Sequence, residues 1–114
     1  MPNPRMDVLP GTLELIVLKT LSRGEAMHGF EVLGWIRDTT DGDLLLEEGA
    51  LYPALHRMER KRWLRGEWHI SEKGRRAKYY DLTAAGRAEL VRGERRWLRY
   101  LDAWQKIAIA ATSA

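Results

Sequence analysis

The sequence contains no cysteine among its 114 residues, which excludes a disulfide framework, a catalytic thiolate and a cysteine-ligated metal site. Its histidines are His28, His56 and His69, and none of them has a second ligand at the spacing that a zinc site requires. A local hydrogen bond at the start of a helix is the simpler role for His28. The sequence therefore predicts neither a bound metal ion nor a cofactor.

Long hydrophobic runs are also missing, since no apolar stretch approaches the 18 residues of a membrane-spanning helix. The N-terminal residues lack the apolar centre of a secretory signal, so we expect a cytoplasmic protein with no membrane partner. There is no Gly-x-Ser-x-Gly motif, no phosphate-binding glycine loop ending in Gly-Lys-Ser/Thr and no paired histidine. These absences argue against an enzyme.

What the sequence does contain is enough apolar residues for one small domain, together with a local excess of positive charge. Hydrophobic residues make up 45% and charged residues 31%, a balance typical of a globular protein. Between residues 57 and 78 nine basic residues outnumber three acidic ones, a net charge of +6, whereas the whole chain is +3. Such a concentration is typical of a surface that binds phosphates, although a basic run alone is about as often a solvated surface.

Residues 50–61 carry a helical pattern, because Leu51, Leu55 and Met58 recur at intervals of four and three residues. A proline is tolerated in the first turn of a helix, where its missing N–H costs nothing, so we expect position 53 to lie there. On a helical wheel the side away from the apolar stripe carries Tyr52, Pro53, His56, Arg57 and Arg60. The sequence therefore predicts a short helix with an apolar back and a polar front.

A β-hairpin is predicted directly after this helix, since residues 63–70 and 77–82 are rich in β-branched and aromatic side chains. The connection between the strands is basic and contains a glycine. Its positive residues are Lys73, Arg75 and Arg76. A helix followed by a hairpin with a basic tip is the order of a winged helix-turn-helix, whose helix enters the DNA major groove. We therefore predict a mainly α-helical (α+β) fold with a small β-hairpin wing.

Two helices are predicted before this unit. Thr12 can cap the first, which runs to about Arg23, and His28 can cap the second, which runs to about Asp38. The three leucines at 44–46 are too few for a helix of their own. We predict that they form a short strand against the hairpin.

A long final helix completes the chain. Residues 1–9 are expected to be a flexible tail, 10–83 the winged DNA-binding domain and 84–114 the dimerisation helix, with Thr83 as its cap. Apolar residues recur along this helix at heptad spacing, at Leu90, Trp97, Leu101, Trp104 and Ala108. Because so small a core leaves little to cover this seam, we predict a homodimer built on the helix. The alternative is that the tryptophans pack on the chain's own first helix.

Three blocks of the sequence, at residues 28–31, 48–59 and 74–86, resemble the PadR family of bacterial transcriptional regulators. The most specific parts are Leu-Tyr-Pro-Ala-Leu in the second block and Gly-Arg-Arg-Ala-Lys-Tyr-Tyr in the third. The resemblance covers roughly residues 10–104, and the single C-terminal helix is similar to the short branch of the family. It implies a winged-helix dimer, usually a repressor, that a small effector releases from its operator.

The chain departs from the family pattern at two positions. The family often has serine or threonine where this chain has Ala50, so a helix cap or a phosphate contact is lost there. The family usually has glycine where this chain has Arg62. If that residue is left-handed, its side chain costs about 1 kcal/mol, which a contact with phosphate would partly offset.

The residues expected to touch double-stranded DNA divide by their chemistry. His56 and Arg60 are the candidates for base edges, because arginine can hold guanine O6 and N7 with two hydrogen bonds. Tyr52 and Pro53 offer a shape contact. The phosphate ligands, which position rather than specify, are expected to be Arg57, Lys73, Arg75 and Arg76. A two-fold dimer would place two such sets on a pseudo-palindromic operator.

Trp97 and Trp104 are the candidates for an effector site, because they lie two turns apart on one helix face and indoles stack on planar aromatic molecules. The resemblance favours this reading, since PadR family members respond to small aromatic compounds. The alternative is that both indoles only pack at the dimer seam. Two other functions are left open for the whole chain. One is a winged-helix module that binds protein instead of specific DNA. The other is RNA binding, for which we would expect aromatic side chains on an exposed sheet surface where bases could stack.

Overall fold

The computed structural model describes residues 8–9 and 11–113, so most of the predicted tail lies outside the described residues. In chain order the elements are α1 (Leu13–Leu21), β1 (Met27–His28), α2 (Gly29–Thr39), α3 (Glu48–Arg60), β2 (Leu64–Ile70), β3 (Arg76–Leu82) and α4 (Ala84–Thr112). This is the mainly helical winged-helix fold that the sequence predicts. The domain boundaries at 83 and 84 stay a prediction.

The core is closed by the apolar stripe of α3. Leu51, Leu55 and Met58 are fully buried, as their helical spacing predicts. They pack in one cluster with buried residues of the first two helices, which include Val17 and Val32. Because α3 is held along its whole back, its front is presented as a rigid surface.

The sheet has three antiparallel strands in the order β1-β3-β2. The predicted strand at Leu44–Leu46 does not form, since only Leu44 makes an isolated β-bridge, and the third strand of the sheet is β1, which pairs Met27 with Tyr80. The leucines instead form a half-buried connection between α2 and α3. The turn fixes its start, since the Leu44 N–H donates a hydrogen bond of 3.1 Å to Thr40 Oγ1.

Two of the three predicted helix caps are present. The His28 Nδ1 accepts the Glu31 N–H at 3.3 Å, and the Glu31 carboxylate accepts the His28 N–H at 3.1 Å, which makes a reciprocal capping box. Thr83 Oγ1 accepts the Gly86 N–H at 3.0 Å at the start of α4. Thr12 precedes α1 but does not cap it, because its hydroxyl donates to the Leu9 carbonyl at 2.6 Å. The first helix also ends at Leu21, before the predicted Arg23.

Pro53 does not lie in the first turn of α3, which corrects the sequence prediction. The helix begins at Glu48, two residues earlier than expected, so Pro53 is its sixth residue. Proline at this position removes the hydrogen bond to the Gly49 carbonyl, one turn earlier. The loss is tolerated because Pro53 is exposed, and water can reach that carbonyl.

The second residue after the end of α3 has a left-handed backbone, as the glycine of the family pattern suggests. Arg62 has φ 64°, and its N–H donates to the Glu59 carbonyl at 2.9 Å. The Trp63 N–H donates to the Met58 carbonyl at 3.0 Å, which completes a Schellman motif. Thr83 Oγ1 then donates to the Arg62 carbonyl at 2.6 Å. The end of α3 and the start of α4 are thereby fixed to each other.

Helix α4 is packed against its own chain over only its first half. Leu90 is 8% exposed and belongs to the core, so the expectation that the seam is uncovered from Leu90 onward is wrong. Gly93 lies against Leu15 of α1, since a Cβ at Gly93 would come within 3.1 Å of the Leu15 Cδ1. Beyond Trp97, which is half-buried, α4 extends past α1 into solvent. None of the helices in the described residues has the length and apolar character needed to cross a membrane.

Candidate nucleic-acid interface

The front of α3 is exposed at Pro53, His56, Arg57 and Arg60, as the helical wheel predicts. Arg60 makes no ion pair with any described residue, so its guanidinium is available to a ligand. An unpaired arginine on an exposed helix face is suited to guanine or phosphate recognition.

Arg57 differs from Arg60 because it is already paired. Its Nε lies 3.4 Å from Oε1 of Glu14 on α1, and the Nζ of Lys61 lies 4.0 Å from the other oxygen of that carboxylate. The side chain of Arg57 therefore points along the α1 side of the helix. Its predicted phosphate contact would require exchanging Glu14 for a phosphate.

Tyr52 is half-buried and fixes α3 to the start of α2. Its ring lies over Gly29, where a Cβ would come within 2.6 Å of the ring atoms, so only glycine fits there. Burial raises the pKa of the Tyr52 phenol, and the nearby Glu48 carboxylate raises it further. The hydroxyl therefore stays protonated and can act as a hydrogen-bond donor.

The wing, which comprises β2, β3 and their connection, is attached to α3 by an ion pair. The Lys78 Nζ lies 2.7 Å from Oε1 of Glu59, and both residues are half-buried. The hydrogen bond that Lys78 donates to the Glu59 carboxylate raises the pKa of Lys78 above its ordinary value. Gly66 leaves the space for this pair, because a Cβ there would meet the Lys78 side chain at 2.5 Å. This pair joins the wing to α3.

The tip of the wing, residues 71–75, is a closed turn. The Ser71 N–H donates to the Arg75 carbonyl at 2.7 Å, and the Gly74 N–H donates to the Ser71 carbonyl at 2.8 Å. Gly74 has φ 75°, a backbone that favours glycine. The turn leaves Lys73 and Arg75 exposed, as a phosphate-binding tip requires.

A groove of about 920 Å³ separates the front of α3 from the wing. It brings together five of the eight residues predicted to contact DNA: Tyr52, His56, Lys73, Arg75 and Arg76. Pro53, Arg57 and Arg60 are outside the lining of this wing groove. The groove thus joins an aromatic and imidazole wall on α3 to a cationic wall on the wing.

Sequence reasoning missed Trp68, which also lines the wing groove. The Arg76 guanidinium carbon lies 4.6 Å from the centroid of the Trp68 ring, in a cation–π contact. The alternation of side chains between the two faces of β2 could have identified Trp68. Leu64 is buried, so Gly66, Trp68 and Ile70 share its face of the strand. Outside the core, that face is exposed.

The two tryptophans predicted to bind an effector are in different surroundings. Trp97 lines a cleft of about 490 Å³ between the start of α1, Trp63 and α4, and its ring stacks on Tyr100 with centroids 6.2 Å apart. Trp104 is outside the lining of this α1–α4 cleft and is 59% exposed. Within one chain the structure therefore does not bring the two indoles into one site.

Residues 8–9 and 11–113 contain no group of three or more histidine, aspartate or glutamate side chains that could hold a metal ion. The two histidines of the sheet, His28 and His69, each make a T-shaped contact with the Tyr79 ring.

Comparison with known proteins identifies the family. The Transcriptional regulator PadR-like family matches residues 17–92, more than half of the chain. A transcriptional regulator from Clostridium thermocellum superposes with a TM-score of 0.77 at 26% identity, over 84% of this chain and 92% of that one. A PadR family transcription regulator from Clostridium difficile gives 0.74 at 26% identity, over 86% and 99%. A PadR-like transcription factor from Bacteroides fragilis gives 0.70 at 29% identity, over 85% and 90%. With the winged-helix fold and the wing groove, these matches establish that the chain belongs to the PadR-like family of DNA-binding transcriptional regulators.

Proposed function

We propose that this regulator represses transcription by binding a pseudo-palindromic operator as a homodimer, and that a small aromatic effector releases it. The observation that carries the proposal is the wing groove, in which the front of α3 and the basic wing face the same space. Its walls carry the charge and the shape that a DNA backbone next to a major groove requires. We place this activity in the cytoplasm, where a regulator has access to DNA.

In the proposed complex α3 enters the major groove and the wing follows the adjacent backbone. Arg60 and His56 reach base edges, and Tyr52 and Pro53 supply a shape contact. Lys73 and Arg75 at the tip bind phosphate, since both are exposed on a closed turn. Arg76 and Arg57 are secondary phosphate ligands, because Arg76 stacks on Trp68 and Arg57 pairs with Glu14.

The proposed dimer uses the second half of α4. Leu101, Trp104 and Ala108 continue the helix face that Leu90 and Trp97 begin, but α1 no longer covers it there. A tryptophan and a leucine repeated at heptad spacing favour a second copy of the same helix as the partner. Two-fold symmetry then gives two copies of α3 for two half-sites.

The proposed effector is a planar aromatic molecule beside Trp97, with Trp104 contributed by the partner chain. The α1–α4 cleft supports this site, because it already presents the stacked rings of Trp97 and Tyr100. A ligand there lies between α4 and the winged domain. It would release DNA by preferring a different spacing of the two winged domains.

The DNA-binding part is tested by selecting duplexes from a random-sequence library with the wild-type chain, then titrating the enriched duplex with salt. We expect an inverted repeat and an affinity that falls steeply as the salt concentration rises. Enrichment of no sequence would contradict an operator-binding role. It would favour the alternative of a winged-helix module that contacts another protein.

The effector is tested separately by tryptophan fluorescence titrated with a panel of planar aromatic compounds, on the wild type and on Trp97→Ala. We expect one class of compound to quench the wild type and to release DNA, with both effects lost in the variant. If no compound quenches the wild type, or if release persists in Trp97→Ala, the site is not beside Trp97.

A further inference from the structure

The carboxylate of Glu14 on α1 faces two cations at the end of α3. Its Oε1 accepts a hydrogen bond of 3.4 Å from the Arg57 Nε, and its Oε2 lies 4.0 Å from the Lys61 Nζ. The Arg57 side chain is 44% exposed, whereas that of Glu14 is only 29% exposed. Arginine binds carboxylate and phosphate with the same donors, so a carboxylate of the chain itself occupies the place that a phosphate would take.

Arg57 can leave this carboxylate without leaving it unpaired. The Lys61 Nζ is already within ion-pair distance of Glu14, and it lies 4.6 Å from the centroid of the Trp63 ring in a cation–π contact. The ring therefore keeps Lys61 beside the carboxylate. Removing the last partner of a partly buried charge is costly, so a second cation lowers the cost of the exchange. Glu14 thus has one partner that stays and one that can move to DNA.

The same carboxylate also faces the α1–α4 cleft. Glu14 and Trp63 both belong to the lining of this cleft. Helix α1, which carries Glu14, is joined to α4 by an ion pair of 2.9 Å between the Lys19 Nζ and the Glu94 Oε2. A change in the partner of Glu14 therefore changes the polar wall of the cleft, close to the helix of the proposed dimer.

We propose that Glu14 is an autoinhibitory positioning residue, which holds Arg57 away from DNA until a phosphate replaces it and then pairs with Lys61 alone. This inference rests on the proposed operator binding. Because the ion pair must break before Arg57 binds a phosphate, it lowers the affinity for every duplex, since phosphates carry no sequence information. The exchange also couples DNA to the α1–α4 cleft, and such a coupling acts equally in both directions.

The first test compares the affinities of the wild type and Glu14→Gln for the selected operator and for a scrambled duplex, at equal dimer concentration. Glutamine keeps the shape of the side chain but lacks the charge that holds Arg57. We expect a gain of about threefold per chain, so about tenfold for two chains on the operator, and a gain on the scrambled duplex as well. Glu89→Gln is the control, because Glu89 pairs with Arg92 on its own helix. It should bind as the wild type does.

A double-mutant cycle separates the ion pair from the general effect of removing a negative charge. Arg57→Met should weaken binding and lower the salt slope by about one unit per chain. In that background Glu14→Gln should give no gain, because no arginine remains to be released. A gain of the same size in both backgrounds, or a salt slope that Arg57→Met leaves unchanged, would overturn the proposal.

The change at the cleft is measured at Trp63 by fluorine NMR of the chain labelled with fluorotryptophan. The Trp63 signal is assigned from its absence in Trp63→Phe. Operator DNA should shift this signal in the wild type, because Lys61 on the ring becomes the only partner of the carboxylate. The shift should be lost in Glu14→Gln. An equal shift in that variant would show that the exchange does not pass through Glu14.

The outcomes distinguish the autoinhibitory pair from the proposed function. If the wild type selects an operator but Glu14→Gln binds it no more tightly, the role of Glu14 fails and operator binding stands. If the wild type selects no duplex, the operator-binding function itself fails. Glu14 and Arg57 both lie outside the buried core, so their variants should fold, and circular dichroism checks this directly.

Discussion

Helices α3 and α4 both carry an apolar stripe, but the chain covers one stripe completely and the other only in part. The stripe of α3 is fully buried at Leu51, Leu55 and Met58. The stripe of α4 is buried at Leu90, half-buried at Trp97 and exposed at Leu101 and Trp104. The same helical period therefore leads to two different outcomes within one small molecule.

The difference shows what kind of partner each helix requires. The chain itself covers the apolar side of α3, so what α3 offers outward is its polar front, and that front matches a charged ligand. The second half of α4 offers uncovered leucine, isoleucine and tryptophan, which match an apolar surface. This difference supports the proposal that α3 binds DNA and that the second half of α4 binds a second copy of the chain.

The largest effect should come from a charge placed on the uncovered half of α4. Trp104→Glu puts an unpaired carboxylate into the proposed seam, so dimerisation should weaken by more than about a hundredfold. Sedimentation at micromolar concentration measures this. Lys106→Gln is the control, because it changes the charge by the same amount on the opposite side of the helix. A wild-type chain that sediments as a 13.2 kDa monomer would refute the seam.

An intermediate effect should come from the front of α3 and the wing. Arg60→Ala should cost about 1–3 kcal/mol on the selected operator and relax its base preference, because Arg60 is unpaired on the exposed face. Arg75→Ala should instead weaken all sequences alike and lower the salt slope by about one unit. Shift assays on specific and scrambled duplexes compare the two. Equal losses on both duplexes for both variants would show that the division of roles is wrong.

The smallest effect should appear where α3 ends. Arg62→Gly removes the steric cost of a side chain in a left-handed backbone conformation. It should therefore raise the free energy of unfolding by up to about 1 kcal/mol. Urea unfolding at one fixed protein concentration measures this change. Arg65→Gly, at an exposed position inside β2, should lower the stability instead. No gain at Arg62 would mean that contacts of its side chain already offset the strain.

The sequence predicts the elements in which apolar residues recur with a clear helical or strand period, and it misses the elements without such a period. The period of the apolar stripe correctly predicts helix α3, and the aromatic and β-branched residues on either side of the basic tip correctly predict the hairpin. The leucines at 44–46 are misassigned because a short apolar run has no period that separates a strand from a buried connection. The true third strand, β1, is only two residues long, so it has no pattern to detect.

The site is predicted only as far as residue type and helical phase allow. The eight residues predicted to contact DNA are exposed or half-exposed, and their contacts with DNA stay a prediction. The pairing of Arg57 with Glu14 joins two residues 43 positions apart, so a helical wheel cannot predict it. The covering of Leu90 by the chain's own core is missed for the same reason. The family match confirms the prediction of a transcriptional regulator rather than an enzyme.

The central claim, that two α4-linked chains place two copies of α3 on one operator, is tested most directly by hydroxyl-radical footprinting of the selected duplex. The same complex should be weighed by sedimentation to count its chains. The account predicts two chains per duplex and two protected half-sites about 34 Å apart, one turn of B-DNA. One chain per duplex with a single protected half-site would contradict it.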